Sequence, residues 1–203
     1  MNIDENKAFI VSALRSTKRD GIEELINAMQ IGGFFEAPCS SQYHLAEEGG
    51  LAQHSINVLK TIRSLNDALD VSMPDETLVI SALLHDLGKM GMYGKPNYVE
   101  NWIKDGRPTK AEPEQKYKRS ESKPFTTNTD LLYLPHSIRS VEIANRYIEL
   151  TEDEEFAITC HDGLYGDMKY IVSGHETPLY LLLHSADLWC SRVTEVNEGG
   201  ETE

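Results

Sequence analysis

The segment SALLHDLGKMG, residues 81 to 91, sets a histidine beside an aspartate at the end of an apolar run, with a glycine and a lysine behind them. Imidazole and carboxylate from neighbouring helices are the ligands that hold transition metals in helical cores. Further candidates are spread along the chain: His54, His136, His161 and Asp187 each lie on, or at the end of, a different predicted helix. His54 falls on the apolar stripe of Leu51, Val58, Ile62, Leu65 and Leu69. Asp187 follows Leu179 and Leu183 at four-residue steps, so it too points inward. A buried aspartate is costly unless it is paired or coordinates a cation. Taken singly, each residue reads more simply as a hydrogen-bonded core histidine or a helix cap. Taken together they admit a metal centre, and residue type and spacing leave both readings open.

The elements that must position these residues are mostly helical. Apolar residues at helical spacing predict helices over 5–16 and 20–30, ending at Gly32-Gly33, followed by a loop through FFEAPCSSQYHLAEEGG. A long helix is expected from about Leu51 to Leu69. Another begins near Pro74-Asp75-Glu76, where proline and acids suit a first turn, and stops at Gly88. Residues 91–135 hold Pro96, Pro108, Pro113, Pro124 and Pro135 with alternating aromatic and polar residues, and predict a small β-hairpin or lid. Helices resume at about 137–149. Thr151 and Glu154 form a capping box for a helix ending near His161, and Thr177-Pro178 starts a last helix through Trp189. The expectation is an all-α single domain over 1–203 with a β insertion at about 91–135 and a flexible acidic tail at about 195–203.

Composition bounds the function. The net charge of −14 disfavours a protein that grips long nucleic acid over its surface. The charge is uneven, because residues 95–123 carry eight Lys/Arg against five Asp/Glu. That basic insertion is either a phosphate-attracting feature or a solvated loop. The longest apolar runs fall short of a membrane span, which needs roughly 18 residues, and the N-terminus is too polar for a signal peptide. Cys39, Cys160 and Cys190 show no metal-type pairing and read as buried, reduced residues of a cytoplasmic protein.

The order His … His-Asp … Asp, with the pair written HDLGK, resembles the signature of the HD-domain metal-dependent phosphohydrolases. The first histidine stands in YHLAEEGGLAQHSINV, similar to the lead-in of small bacterial and phage members. The last aspartate stands in LLLHSADLW, similar to their ending. The resemblance implies an HD helical bundle and one divalent metal (Mn, Fe, Co, Ni or Mg) held by His54, His85, Asp86 and Asp187. His136 and His161 stand where binuclear members such as the HD-GYP phosphodiesterases carry two more ligands, which implies a second metal with Asp86 bridging. The GYP motif is absent, since DGLYGD follows His161. The implied activity is hydrolysis of a phosphate ester or anhydride of a nucleotide or deoxynucleotide by metal-activated water. Alternatives are a phosphodiesterase acting on a cyclic nucleotide or short 3′ end, and an HD-type diiron oxygenase, which shares the ligand order.

Asp86 and Lys89 are then the expected catalytic residues. Lys89 follows the glycine that ends its helix and is expected to turn toward the pocket as a phosphate ligand. Arg139, one turn after His136, shares its face and is a second phosphate candidate. His44 matches the lead-in motif as a substrate contact, and Lys116, Lys118 and Arg119 of the insertion are expected to reach the substrate phosphates. His175 and His184 match no ligand position and are expected to be structural. Tyr43, Trp102 and Trp189 are expected to pack. The expected partner is a small phosphorylated molecule, with no membrane and no long nucleic acid, and self-association is left open.

Overall fold

The computed structural model describes residues 2–110, 112–166 and 168–196. In chain order the helices and strands are α1 (Ile3–Ser16), α2 (Ile22–Ile31), α3 (Gly50–Ala68), α4 (Asp75–Leu84), β1 (Tyr98–Glu100), β2 (Trp102–Lys104), β3 (Tyr117–Arg119), β4 (Phe125–Thr127), α5 (His136–Ala144), α6 (Glu152–Cys160), α7 (Lys169–Val172) and α8 (Pro178–Trp189). The all-α bundle with a small β insertion expected from the sequence is what forms.

The core is built around two helices of different character. On α3 the buried side chains include Leu51, His54, Val58, Leu59 and Ile62, the expected stripe, and this face packs against α1, α4 and α8. Every residue of α4 from Leu78 to Leu84 is buried. A helix that is apolar all round belongs in the middle of a fold, and α4 is enclosed by α1, α3, α5, α6 and α8.

Two expected helices stop early, each at a backbone contact. Helix α4 ends at Leu84 instead of Gly88. The chain then tightens into a 3-10 helix over Leu87–Met90, with the Lys89 amide bonded to Asp86 O at 2.8 Å. The Gly88 amide donates to Ser140 Oγ of α5 at 2.8 Å, and a Cβ on Gly88 would stand 2.2 Å from the His136 carbonyl oxygen. The His-Asp pair is thereby pressed against the first turn of α5. Helix α5 ends at Ala144, and the following turn lays the Tyr147 carbonyl where a Cβ on Gly21 would be, 1.8 Å from its ideal position.

The capping box at Thr151 and Glu154 is present. Glu154 is fully buried and also accepts a two-pronged ion pair from Arg19, Nη2–Oε1 at 2.7 Å and Nη1–Oε2 at 2.9 Å. Arg19 reaches the Glu149 carbonyl and Glu76 as well, so this one cation ties the α1–α2 turn to α4 and to the start of α6.

The insertion is one bent ribbon rather than a plain hairpin. β1 pairs antiparallel with β4 (Tyr98 opposite Thr127), and β2 pairs antiparallel with β3 (Trp102 opposite Arg119). Residues 120–124 bulge out between the two ladders, and the Phe125 amide bonds to Ser41 O, which anchors the ribbon to the loop before α3. Strands β2 and β3 are exposed throughout.

After α8 the chain makes a single π-helical turn, Cys190–Thr194. The expected flexible tail therefore does not begin at 195: Glu195 is buried. The rest of that tail, 197–203, lies outside the described residues.

Candidate metal centre

His85 and His161 sit in equivalent places, each at the C-cap of its helix (α4 and α6). The last carbonyls of a helix lack intrahelical donors. Each histidine uses one: His85 Nδ1 donates to Ala82 O at 2.9 Å, and His161 Nδ1 donates to Ile158 O at 2.7 Å. His54 Nδ1 is likewise occupied, by Glu195 at 2.8 Å. With Nδ1 committed, Nε2 of all three rings is turned inward, the arrangement that prepares an imidazole for a metal. His136, at the first position of α5, adds a fourth Nε2.

These nitrogens meet in pairs. His54 Nε2 and His85 Nε2 are 3.3 Å apart, as are those of His136 and His161. Two donors about 2.1 Å from one ion, subtending about 90–110°, lie about 3.0–3.4 Å apart, so each pair has the spacing of ligands on a common cation. Asp86 stands between the pairs. Its Oδ2 lies 3.4 Å from His85 Nε2 and 3.6 Å from His54 Nε2, whereas its Oδ1 lies 3.2 Å from His136 Nε2 and 3.6 Å from His161 Nε2. Oδ1 is buried and accepts no well-aligned hydrogen bond, so it is an acceptor in want of a cation. Asp187 Oδ1 completes the first group, 3.1 Å from His54 Nε2. The donor set thus fits one or two divalent ions, and the structure brings together all six of the expected ligands.

The electrostatics follow from burial and pairing. Burial works against ionised Asp86, yet Lys89, His85, His136 and His161 outweigh it and hold the carboxyl well below its usual range. Burial likewise opposes the imidazoliums of His54 and His161, but Cys39, Asp187 and Glu195 raise His54, and Asp86, Asp162 and Asp187 raise His161 to about 9. At His85 burial prevails and lowers the ring. His44 is pushed down to about 4 by burial and by the charges of His54 and Lys89, and burial raises the Cys39 thiol to about 11.

Lys89 turns inward as expected, its Nζ 2.6 Å from Asp86 Oδ2. A cavity of about 370 Å³ opens beside the cluster; its lining includes His44, Lys89, His161, Asp162, Asp187 and Arg192, together with His184, Tyr43 and Tyr165. His44 thus falls where expected.

Arg139 does not. It is buried, its Nη2 donates to Leu132 O at 2.9 Å, and the charges it feels are Glu142 and Tyr93, away from the cavity. Sharing one helix face with His136 was insufficient, because the Leu132 carbonyl captures the guanidinium. Nor do Lys116, Lys118 and Arg119 reach the cavity. They are exposed on the ribbon and pair locally with Glu112 (2.5 Å), Asp105 (3.3 Å) and Glu100 (3.4 Å). These three bases are paired by acids of the ribbon itself.

Sequence reasoning missed Asp162, whose Oδ2 is 3.6 Å from His136 Nε2, and also Arg192 and Glu195. Tyr43, expected to pack, is exposed in the cavity lining, and His184, expected to be structural, both supports His161 through its carbonyl and faces the cavity. All three cysteines are free and buried.

Donors that converge from the ends and faces of several helices define the class: a helical fold with a buried cluster able to hold divalent metal. A family model described as HD domain matches residues 51–175, more than half of the chain, and the protein belongs to the HD-domain family. The match includes His54, His85, Asp86, His136 and His161 and stops short of Asp187. HD domains bind divalent metals and are in general metal-dependent hydrolases. No curated protein and no solved structure gives a significant match. No helix among the described residues is long and apolar enough to cross a membrane.

Proposed function

We propose that this protein is a metal-dependent phosphohydrolase acting on a nucleotide or deoxynucleotide, with His54, His85, Asp86 and Asp187 holding one cation and His136, His161 and Asp86 a second. The observation that carries the reading is the division of Asp86 between two pairs of inward-facing Nε2 atoms, one pair to each oxygen. Cations held there supply Lewis acidity, offsetting phosphate charge and lowering the pKa of the attacking water.

The chain's own residues do the rest. Lys89 and Arg192 are the cations on the cavity wall and bind non-bridging phosphate oxygens, Lys89 as a point charge and Arg192 through its planar fork. Asp162, beside His136 and facing the cavity, is placed to take a proton from the nucleophile. His44, kept neutral by burial, offers a hydrogen bond to the leaving oxygen. At about 370 Å³ the cavity suits a small ligand rather than a polymer, and exposed Tyr43 and Tyr165 in its lining offer faces to a base.

The test is a panel of nucleoside and deoxynucleoside mono- and triphosphates and cyclic nucleotides, incubated with metal-stripped protein plus Mn²⁺, Mg²⁺, Co²⁺ or Fe²⁺ and read by chromatography. Release of phosphate, pyrophosphate or triphosphate from a mononucleotide supports the proposal. Opening of a cyclic nucleotide alone replaces it with the phosphodiesterase, and oxygen uptake with Fe²⁺ replaces it with the oxygenase.

A further inference from the structure

Three of the inward-facing histidines need an acceptor for Nδ1, and only two can find one nearby. His85 and His161 lie at helix C-caps and use the free carbonyl three residues back. His54 lies in the second turn of α3, where the preceding carbonyls are taken by the helix and Leu51 O also accepts from Ser55 Oγ. Its acceptor has to come from elsewhere in the chain.

It comes from 141 residues away. The π turn at Cys190–Thr194 adds a residue to the last turn of α8 and swings Glu195 inward, whereas Val193 and Val196 on either side remain about half exposed. Glu195 Oε2 and Oε1 lie 2.8 and 3.1 Å from His54 Nδ1. Asn57 Nδ2, one turn along α3, donates to Oε1 at 2.9 Å, and Asn57 is itself held by Gln53 Nε2 at 2.9 Å. A carboxylate is kept out of water only where such partners compensate it. A π turn inside a helix is a costly irregularity that tends to mark functional positions.

We propose that Glu195 is the positioning residue for His54. It accepts a hydrogen bond from Nδ1–H, fixes the ring so that Nε2 faces His85, Asp86 and Asp187, and by its charge makes Nε2 a stronger donor to a metal, so that the segment after α8 sets how tightly the first cation is held. This rests on the metal-centre reading above. Carboxylates behind a ligating histidine commonly carry 10–100-fold in metal affinity.

The test is Co²⁺ titration of the metal-stripped full-length protein, followed by visible absorption, for wild type, Glu195→Ala and Glu195→Gln. Glu195→Ala is expected to weaken the tighter Co²⁺ site by about 10–100-fold and to alter its absorption band. Glu195→Gln keeps an acceptor and the shape, so it should retain the band while losing affinity by a smaller factor; it also serves should the alanine variant fail to fold. Wild-type affinity and band shape in both variants would overturn the proposal and leave the metal centre standing. Failure of the wild type itself to take up Co²⁺ would overturn both.

Discussion

At the scale of single residues, Asp86 decides the site. Its two oxygens face different histidine pairs, and Lys89 depends on it for charge balance. Asp86→Asn is expected to abolish binding of the second metal and weaken the first by more than any single histidine change, as measured by elemental analysis after dialysis. Proton release is a second expectation. His161 has its metal-free pKa raised to about 9, so at pH 7 it is protonated and must lose that proton to become a ligand. Metal affinity should therefore rise with pH through about 9. Calorimetry at pH 7 in two buffers of different ionisation enthalpy should show at least about one proton released per chain. The metal-free fold has the corresponding dependence. A folded pKa above the unfolded value adds stability below about pH 6.5, which is lost as pH rises through about 9.

At the scale of elements, the site depends on where α4 and α6 stop and on what holds those ends. Arg19 bridges the α1–α2 turn, α4 and the buried Glu154 that starts α6. Removing it strands a buried carboxylate, which costs about 3–5 kcal/mol. Arg19→Ala should lower the unfolding free energy by about that amount in denaturant unfolding, while leaving the donor set itself unaltered. The sequence revealed these elements unevenly. The α3 stripe with His54 on it was readable because one face is buried and the period shows. The capping box at Thr151 and Glu154 was readable because capping is local chemistry. The early ends of α4 and α5 were not, since each is imposed by a backbone approach from a distant segment, Gly88 onto His136 and Tyr147 onto Gly21. The π turn that buries Glu195 left no local sign, and acidic neighbours made that residue look like part of a tail.

At the scale of the whole molecule, the acidic body and the basic ribbon suggest a lid, but Lys116, Lys118 and Arg119 pair with neighbouring acids and do not line the cavity. Replacing Lys116, Lys118 and Arg119 together with serine is expected to leave KM and its salt dependence unchanged, with stability moving by about 0.5 kcal/mol or less per site. Arg192→Ala, by contrast, should raise KM, and steady-state kinetics on the two variants separate these roles. Charge excess along a sequence misled here because it counts residues without saying which neighbour each one meets. Whether Asp86 organises a hydrolytic centre is decided by one titration. Metal-stripped wild type and Asp86→Asn are titrated with Mn²⁺ while phosphate release from a mixed nucleotide panel is followed. Release is expected to rise with Mn²⁺ bound to the wild type and to stay at background in the variant. Equal release by both proteins, or release undiminished by chelator, would contradict it.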